Sequence, residues 1–281
     1  MASLDAHAAK ARCSAWASAM MTAVAAVTVG LSAPAVDAWA GPVAERVRDS
    51  RVLRVCIWPD YYGISLRHPR TGQLVGLDID LAQELARDLK VRLQFVDSSF
   101  PSLVEDLKGD RCDVAMFAVG ILPARQEQLR FSRAYLESDI YAITMRSSKV
   151  VRRWEDIDRP GVAVAVQAGT FMEPVMTAAL KHARVVKVTP PQTRERELES
   201  GRVDVFMTDY AYSRRLLDNA DWALLLSPPQ PFHVLPYGYP VKPGDAQWLQ
   251  TVDEFVARIQ RDGRLRAAAQ KHGLLPIVRL Q

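Results

Sequence analysis

Short apolar runs, many rich in Val, Ile and Ala, recur along the chain between amphipathic stretches. Residues 53–57, 92–96, 114–119, 162–166, 185–188 and 203–208 read as strands. Residues 80–89 place Leu81, Leu85 and Leu89 at four-residue spacing, with Glu84, Arg87 and Asp88 elsewhere on the wheel, which predicts an amphipathic helix. Further helices are expected over 102–107, 171–182 and 194–200, and a long helical region over 245–272, broken near Asp262-Gly263. This rhythm belongs to β-α units around largely parallel sheets, an α/β fold.

Two stretches fit neither pattern. Residues 140–146 run extended from the first set of units into the second. Residues 232–240, FHVLPYGYP, hold too much Pro and Gly for a helix yet are apolar enough to be extended. A chain that crosses out once and back once builds a discontinuous first lobe, 51–142 plus 240–281, and an inserted second lobe, 147–235. Two such connections permit a hinge.

The first forty residues differ from the rest. Lys10 and Arg12 precede an uncharged apolar stretch over 13–31, and Ala38-Trp39-Ala40 stands just before Gly41. That is the layout of a secretory signal over 1–40, cleaved after Ala40, and it predicts a periplasmic protein. The competing reading is an uncleaved anchor, because the stretch is nearly long enough to span a bilayer; its small Ala and Ser residues favour cleavage. The net charge of +4 comes from 36 basic and 32 acidic residues that are interspersed, which argues against nucleic acid or a membrane surface as partner. An oxidising compartment allows Cys56 and Cys112 to pair. Both sit at or inside strand-like runs, VLRVCIW and CDVAMFAV, which would be offset if the strands are parallel neighbours, so buried free thiols stand as the alternative to a disulfide. The five histidines show no metal-ligand spacing and no Gly-rich phosphate loop is present, so neither metal nor cofactor is expected.

The segment richest in chemistry is GDRCDVAMFAVGILPARQEQLRFSRAYLES, residues 109–138. A buried strand ends near Val119-Gly120, Pro123 suits the first turn of a helix, and Arg125 lies within that turn. Ligands of open α/β sheets bind beyond the carboxyl ends of strands, where an arginine offers a planar fork to a carboxylate. A solvated surface arginine is the plainer reading of the spacing alone.

This segment resembles the family 3 solute-binding proteins that serve polar amino-acid ABC transporters. The likeness begins at LRVCIWPDYYGISLRHPRTGQLVGLDIDLAQELARDL, with Leu77 where the family has Phe, and continues through GVAVAVQAGT and GRVDVFMTDYAYS. It covers residues 53–273 in order. It implies a type II periplasmic binding protein fold, with two α/β lobes, two hinge crossings and a ligand in the cleft. It also implies Arg125 as the carboxylate anchor, Asp209 as the lobe-two partner of an ammonium, and Tyr61 as an aromatic cover. Phe100 would form a wall, the backbone of Ala118 and Gly120 would line the same side, and the N–H groups of Thr170 and Phe171 would add donors. The expected protein is a monomer that captures an amino acid or small carboxylate and hands it to an ABC permease, without enzymatic activity.

Several positions depart from the family. Gly120 and Leu122 replace hydroxyl residues, Ala124 replaces an acidic residue, and Phe117 is bulky for a strand end, which implies a less polar pocket. An enzymatic alternative comes from similarity to periplasmic cyclohexadienyl or arogenate dehydratases in EDIDRPGVAVAV, in the PPQPF run and in Met207-Thr208-Asp209. That branch carries an acid/base carboxylate three residues after the aspartate, where this chain has Tyr212; Glu173 is a nearby substitute, but reads more simply as a first-turn glutamate favoured by the helix dipole. A third alternative, a partner of quinoprotein dehydrogenases, rests on the paired LRVC and RCDV motifs. Asp78 and Asp80 are expected to start a helix, with Asp80 near the N-cap.

Overall fold

A computed structural model describes residues 41–280. The proposed signal sequence lies outside these residues. Among the described residues no helix is long and apolar enough to cross a membrane.

The first sheet is parallel, with Val52–Ile57 between Arg92–Asp97 and Val114–Ala115. The second has five strands in the order Arg184–Val188, Ala163–Gln167, Val205–Thr208, Tyr141–Met145, Ala223–Leu226. Its first three are parallel. Tyr141–Met145 runs antiparallel to both its neighbours, so this part of the first expected crossing is a full member of the second sheet. Together the sheets and their helices make the two-lobed α/β fold.

The passages between the sheets lie side by side. Leu136–Ser138, leaving the first sheet, pairs antiparallel with the returning Leu235–Gly238, which also pairs with Val119–Gly120. Asp139 fastens them, accepting from the backbone N–H of Ile140 at 2.7 Å, Phe232 at 2.8 Å and His233 at 2.6 Å. After the return, the helix Ala246–Asp262 breaks at Gly263 and is followed by Arg264–Lys271. Trp248 Nε1 donates to the Asp113 carbonyl at 2.7 Å, packing the helix on the first sheet.

The expected strand over 114–119 is interrupted. Ala118 adopts φ +49°, and Val119–Gly120 joins the hinge sheet instead. The cause is Asp78, whose Oδ2 accepts the Ala118 N–H at 2.8 Å and draws the chain out of register. The helix carrying Asp78 starts at Leu77, not at Asp80, because Gly76 at φ +139° makes a turn in which a Cβ would sit 2.2 Å from the Ile64 carbonyl oxygen. Asp80 is left to pair with Lys271 and His272, each at 2.8 Å.

Of the two readings left open for the cysteines, the disulfide is the one observed. Cys56 and Cys112 form a disulfide with Cα atoms 5.5 Å apart. Cys112 precedes its strand, and the register sets Cys56 opposite Ala115, so the turn at Cys112-Asp113 brings the sulfurs together despite the offset.

Asp78 yields a prediction. Its carboxylate is fully buried, with Tyr135 and Tyr239 hydroxyls donating at 2.7 Å and longer, yet burial outweighs these bonds and lifts its pKa from 3.8 to about 6. The folded state thus holds this proton more tightly than the unfolded chain. The group costs nothing below pH 3.8, costs progressively more as pH rises to about 6, and levels off above at roughly 3 kcal/mol. The unfolding free energy of Asp78→Asn minus that of the native protein should therefore rise between pH 4 and 6 and flatten beyond. A difference independent of pH would refute this assignment.

Candidate functional site

Arg125 lies on the short helix Pro123–Gln126, placed by the hinge strand before it, and is 8% exposed. Nη1 donates to the Gly120 carbonyl at 3.0 Å and Nη2 reaches across to the Gly169 carbonyl, beyond the end of a second-sheet strand, at 2.7 Å. Its guanidinium is 5.6 Å from the centre of the Phe100 ring. No carboxylate pairs with it among the described residues. Burial lowers its pKa from the ordinary arginine value to about 10, against the pull of Tyr237 and Tyr61.

Asp209 caps the helix Tyr210–Leu217, accepting from Tyr212 N at 2.8 Å. The Tyr61 hydroxyl donates to its other oxygen, and Tyr237 reaches the same atom at 3.4 Å. Burial raises the Asp209 pKa, opposed by the Tyr61 bond, the Tyr212 N–H and the charge of Arg194. Tyr61 belongs to the first-lobe segment and Asp209 to the second, so this bond, like that from Arg125 to Gly169, closes one lobe on the other.

The walls are aromatic. Tyr61 packs against Trp58 with ring centres 5.3 Å apart and against Phe100 at 6.0 Å, and Phe100 against Phe117 at 5.1 Å. Phe171 stacks on His233 at 5.9 Å and leans on Tyr237. The expected backbone donors are largely committed elsewhere: the Ala118 N–H serves Asp78, and the Thr170 N–H and hydroxyl both donate to the Gln167 carbonyl. The Gly120 carbonyl is turned to Arg125. Glu173 accepts from the Gly169 N–H at 2.9 Å and pairs with Lys187 at 2.6 Å, and these contacts hold its pKa below the ordinary value. It behaves as the first-turn glutamate expected from the helix dipole.

The lobes approach closely at Gly169, which has φ +74° and would place a Cβ 2.8 Å from Pro101 N and 3.0 Å from Phe100 C. Gly169→Ala should disfavour the closed arrangement by about 1–3 kcal/mol. Small-angle scattering should show a larger radius of gyration for the variant, and an unchanged radius would contradict this role.

A family model, bacterial extracellular solute-binding proteins, family 3, matches residues 53–274. The chain belongs to this family. Cyclohexadienyl dehydratase of Pseudomonas aeruginosa is 34% identical over 79% of this chain and 82% of its own length. The L-cystine-binding protein of Escherichia coli K12 is 26% identical over 71% and 74%. Among solved structures, an ancestral amino acid-binding protein that is a precursor of cyclohexadienyl dehydratase superposes with TM-score 0.73 at 26% identity, covering 81% of this chain and 97% of its own. The ArgBP of T. maritima, as its P235GK mutant, gives 0.74 at 24% identity, covering 82% and 99%. The expectation of a protein without enzymatic activity is corrected here: a relative this similar is an enzyme, so membership of the family does not separate binder from catalyst.

Several cleft residues escaped the sequence reading. Tyr237 sits in the stretch read only as a crossing, although the spacing of Tyr237 and Tyr239 put two hydroxyls on one face of an extended segment. Trp58 lies beside Tyr61, where only the packing of their rings marks it as part of the site. Arg194 and Glu195 open a helix whose charged sequence, RERELE, carries no local mark of a buried residue.

Proposed function

We propose that the lobes, 51–142 plus 240–281 and 147–235, close on a small amino-acid-like carboxylate, which the protein, exported and freed of residues 1–40, carries to an ABC permease. The observation that carries this reading is the burial of Arg125 at the lobe junction with only carbonyl oxygens as acceptors. A guanidinium held this way gains most from an anion that meets its fork. A ligand carboxylate takes the place of the Gly169 carbonyl at Nη2. A ligand ammonium takes the place of the Tyr61 hydroxyl at Asp209. Both exchanges substitute ligand contacts for the present bonds between lobes, and Trp58, Tyr61 and Phe100 exclude water from them. Calorimetric titration with amino acids and small carboxylates should show one saturable site, and an absence of binding across the panel would refute the reading.

A dehydratase reading keeps one specific support besides the relative. Tyr212 donates to Glu195 Oε1 at 2.5 Å, giving the cleft a carboxyl group linked to the position where the dehydratases resembled by this sequence carry theirs. Turnover of prephenate or arogenate by the purified protein would establish it.

A further inference from the structure

A second cavity opens where the lobes meet beside the Tyr61–Asp209 contact, between Trp58 of the first lobe and Gln167, Arg194 and Tyr212 of the second. Trp58 and Tyr212 both border Tyr61, with ring centres 5.3 and 6.3 Å from its own, so the cavity adjoins the site described above. Arg194 is 4% exposed, and its guanidinium lies 4.5 Å from the Tyr212 ring centre and 5.3 Å from that of Phe206. Nη1 donates to the Met207 carbonyl at 2.7 Å. Among the described residues Nε and Nη2 find no acceptor, and Arg194 lines the cavity. Gln167 is 5% exposed and lines the same space, its side-chain amide likewise without a partner among the described residues.

The geometry points to Arg194 as the residue that selects the ligand's distal group, with that group an anion. Two nine-tenths-buried side chains aim unspent N–H donors into one cavity, the arrangement that suits a carboxylate. The aromatic faces around Arg194 fix its plane, so little side-chain freedom is lost on binding. Two carboxylates stand at the rim. Asp60 lies at the surface with its carboxyl pKa raised, by burial first and then by Glu195, and Glu195 is engaged by the Tyr212 hydroxyl, so the buried arginine decides the sign of the preferred group. A cationic side chain would meet Arg194 inside the cavity and is disfavoured.

This inference rests on the reading in which Arg125 and Asp209 hold the α-groups, and it narrows the ligand to an amino acid with an acidic side chain. Calorimetric titration of the purified protein with L-glutamate, L-aspartate, L-glutamine and L-asparagine tests it. Each acid should bind at least tenfold more tightly than its amide. In Arg194→Met that ratio should fall to about one, with amide affinity kept within threefold, whereas Arg125→Met should weaken acids and amides together. Arg194→Lys, which keeps the charge, should retain part of the preference; with the native ratio, it decides the matter if the Met variant does not fold. Amides binding as well as acids to the native protein, or a ratio unaffected by Arg194→Met, would overturn the distal site and leave the binding reading standing. No saturation by any of the four would overturn both.

Discussion

Replacing Arg125 with methionine is expected to weaken ligand binding about a hundredfold or more while leaving the thermal midpoint of the protein alone equal to or above that of the native chain. The loss follows from burial. Truncating one member of a hydrogen-bonded buried charge pair costs about 2–5 kcal/mol, much of it the expense of leaving the ligand carboxylate without its cation. The second half of the expectation separates a binding residue from a structural one. Burial depresses the Arg125 pKa to about 10, so at neutral pH the folded protein carries a charge that is harder to hold than in the unfolded chain. The cost is present in full below about pH 10 and is relieved only above it, where the folded state gives up the proton before the unfolded chain does. Methionine fills similar space without that cost, although the Gly120 and Gly169 carbonyls lose their donor. Calorimetry and thermal unfolding of the same preparation give both quantities. A fall of several degrees in midpoint alongside weakened binding would make Arg125 a structural tie between the lobes.

The same residue shows how far a sequence carries. Its place in a proline-started turn beyond a strand could be read from PARQ alone, because both signals are local. The parallel strands were equally legible, since AVAVQ and VFMT are apolar up to their last residue and sit inside the second sheet. What stayed hidden depends on groups far apart in the chain. The 114–119 run looks continuous until Asp78, 40 residues earlier, takes the Ala118 N–H. Residues 140–146 have the composition of an exposed linker and of a strand alike, and only pairing with Val205–Thr208 and Ala223–Leu226 distinguishes them. Asp209 was legible as a candidate, but Tyr237 arrives from 28 positions later through the return crossing. Arg194 gave no local sign, because a charged residue at a helix start is usually solvated and only the packing of Phe206 and Tyr212 buries it.

Removing the disulfide should have the largest effect on stability. Cys56 and Cys112 are 56 residues apart in sequence, and closing a loop of that size in the unfolded chain is worth about 4 kcal/mol by the chain-entropy model. For a chain of this length that corresponds to a midpoint lowered by roughly 10 °C. Cys56→Ala/Cys112→Ala should show this fall, as should the native protein unfolded with a reductant present, since both half-cystines are buried and are reached only on unfolding. An unchanged midpoint would mean that the unfolded chain is already constrained or that the bond does not form. The bond also has a place in the cleft. Cys56 is one residue from the end of the strand that leads to Trp58 and Tyr61, and Cys112 opens the segment that leads through Ala118 and Gly120 to Arg125. The link therefore joins the two first-lobe segments that lead to Tyr61 and to Arg125, where Val52–Ile57 already pairs with both neighbours. With that pairing intact, the double alanine variant should keep its affinity within about threefold while losing stability, because registry is held by the ladder and the sulfur bridge acts mainly on the unfolded state.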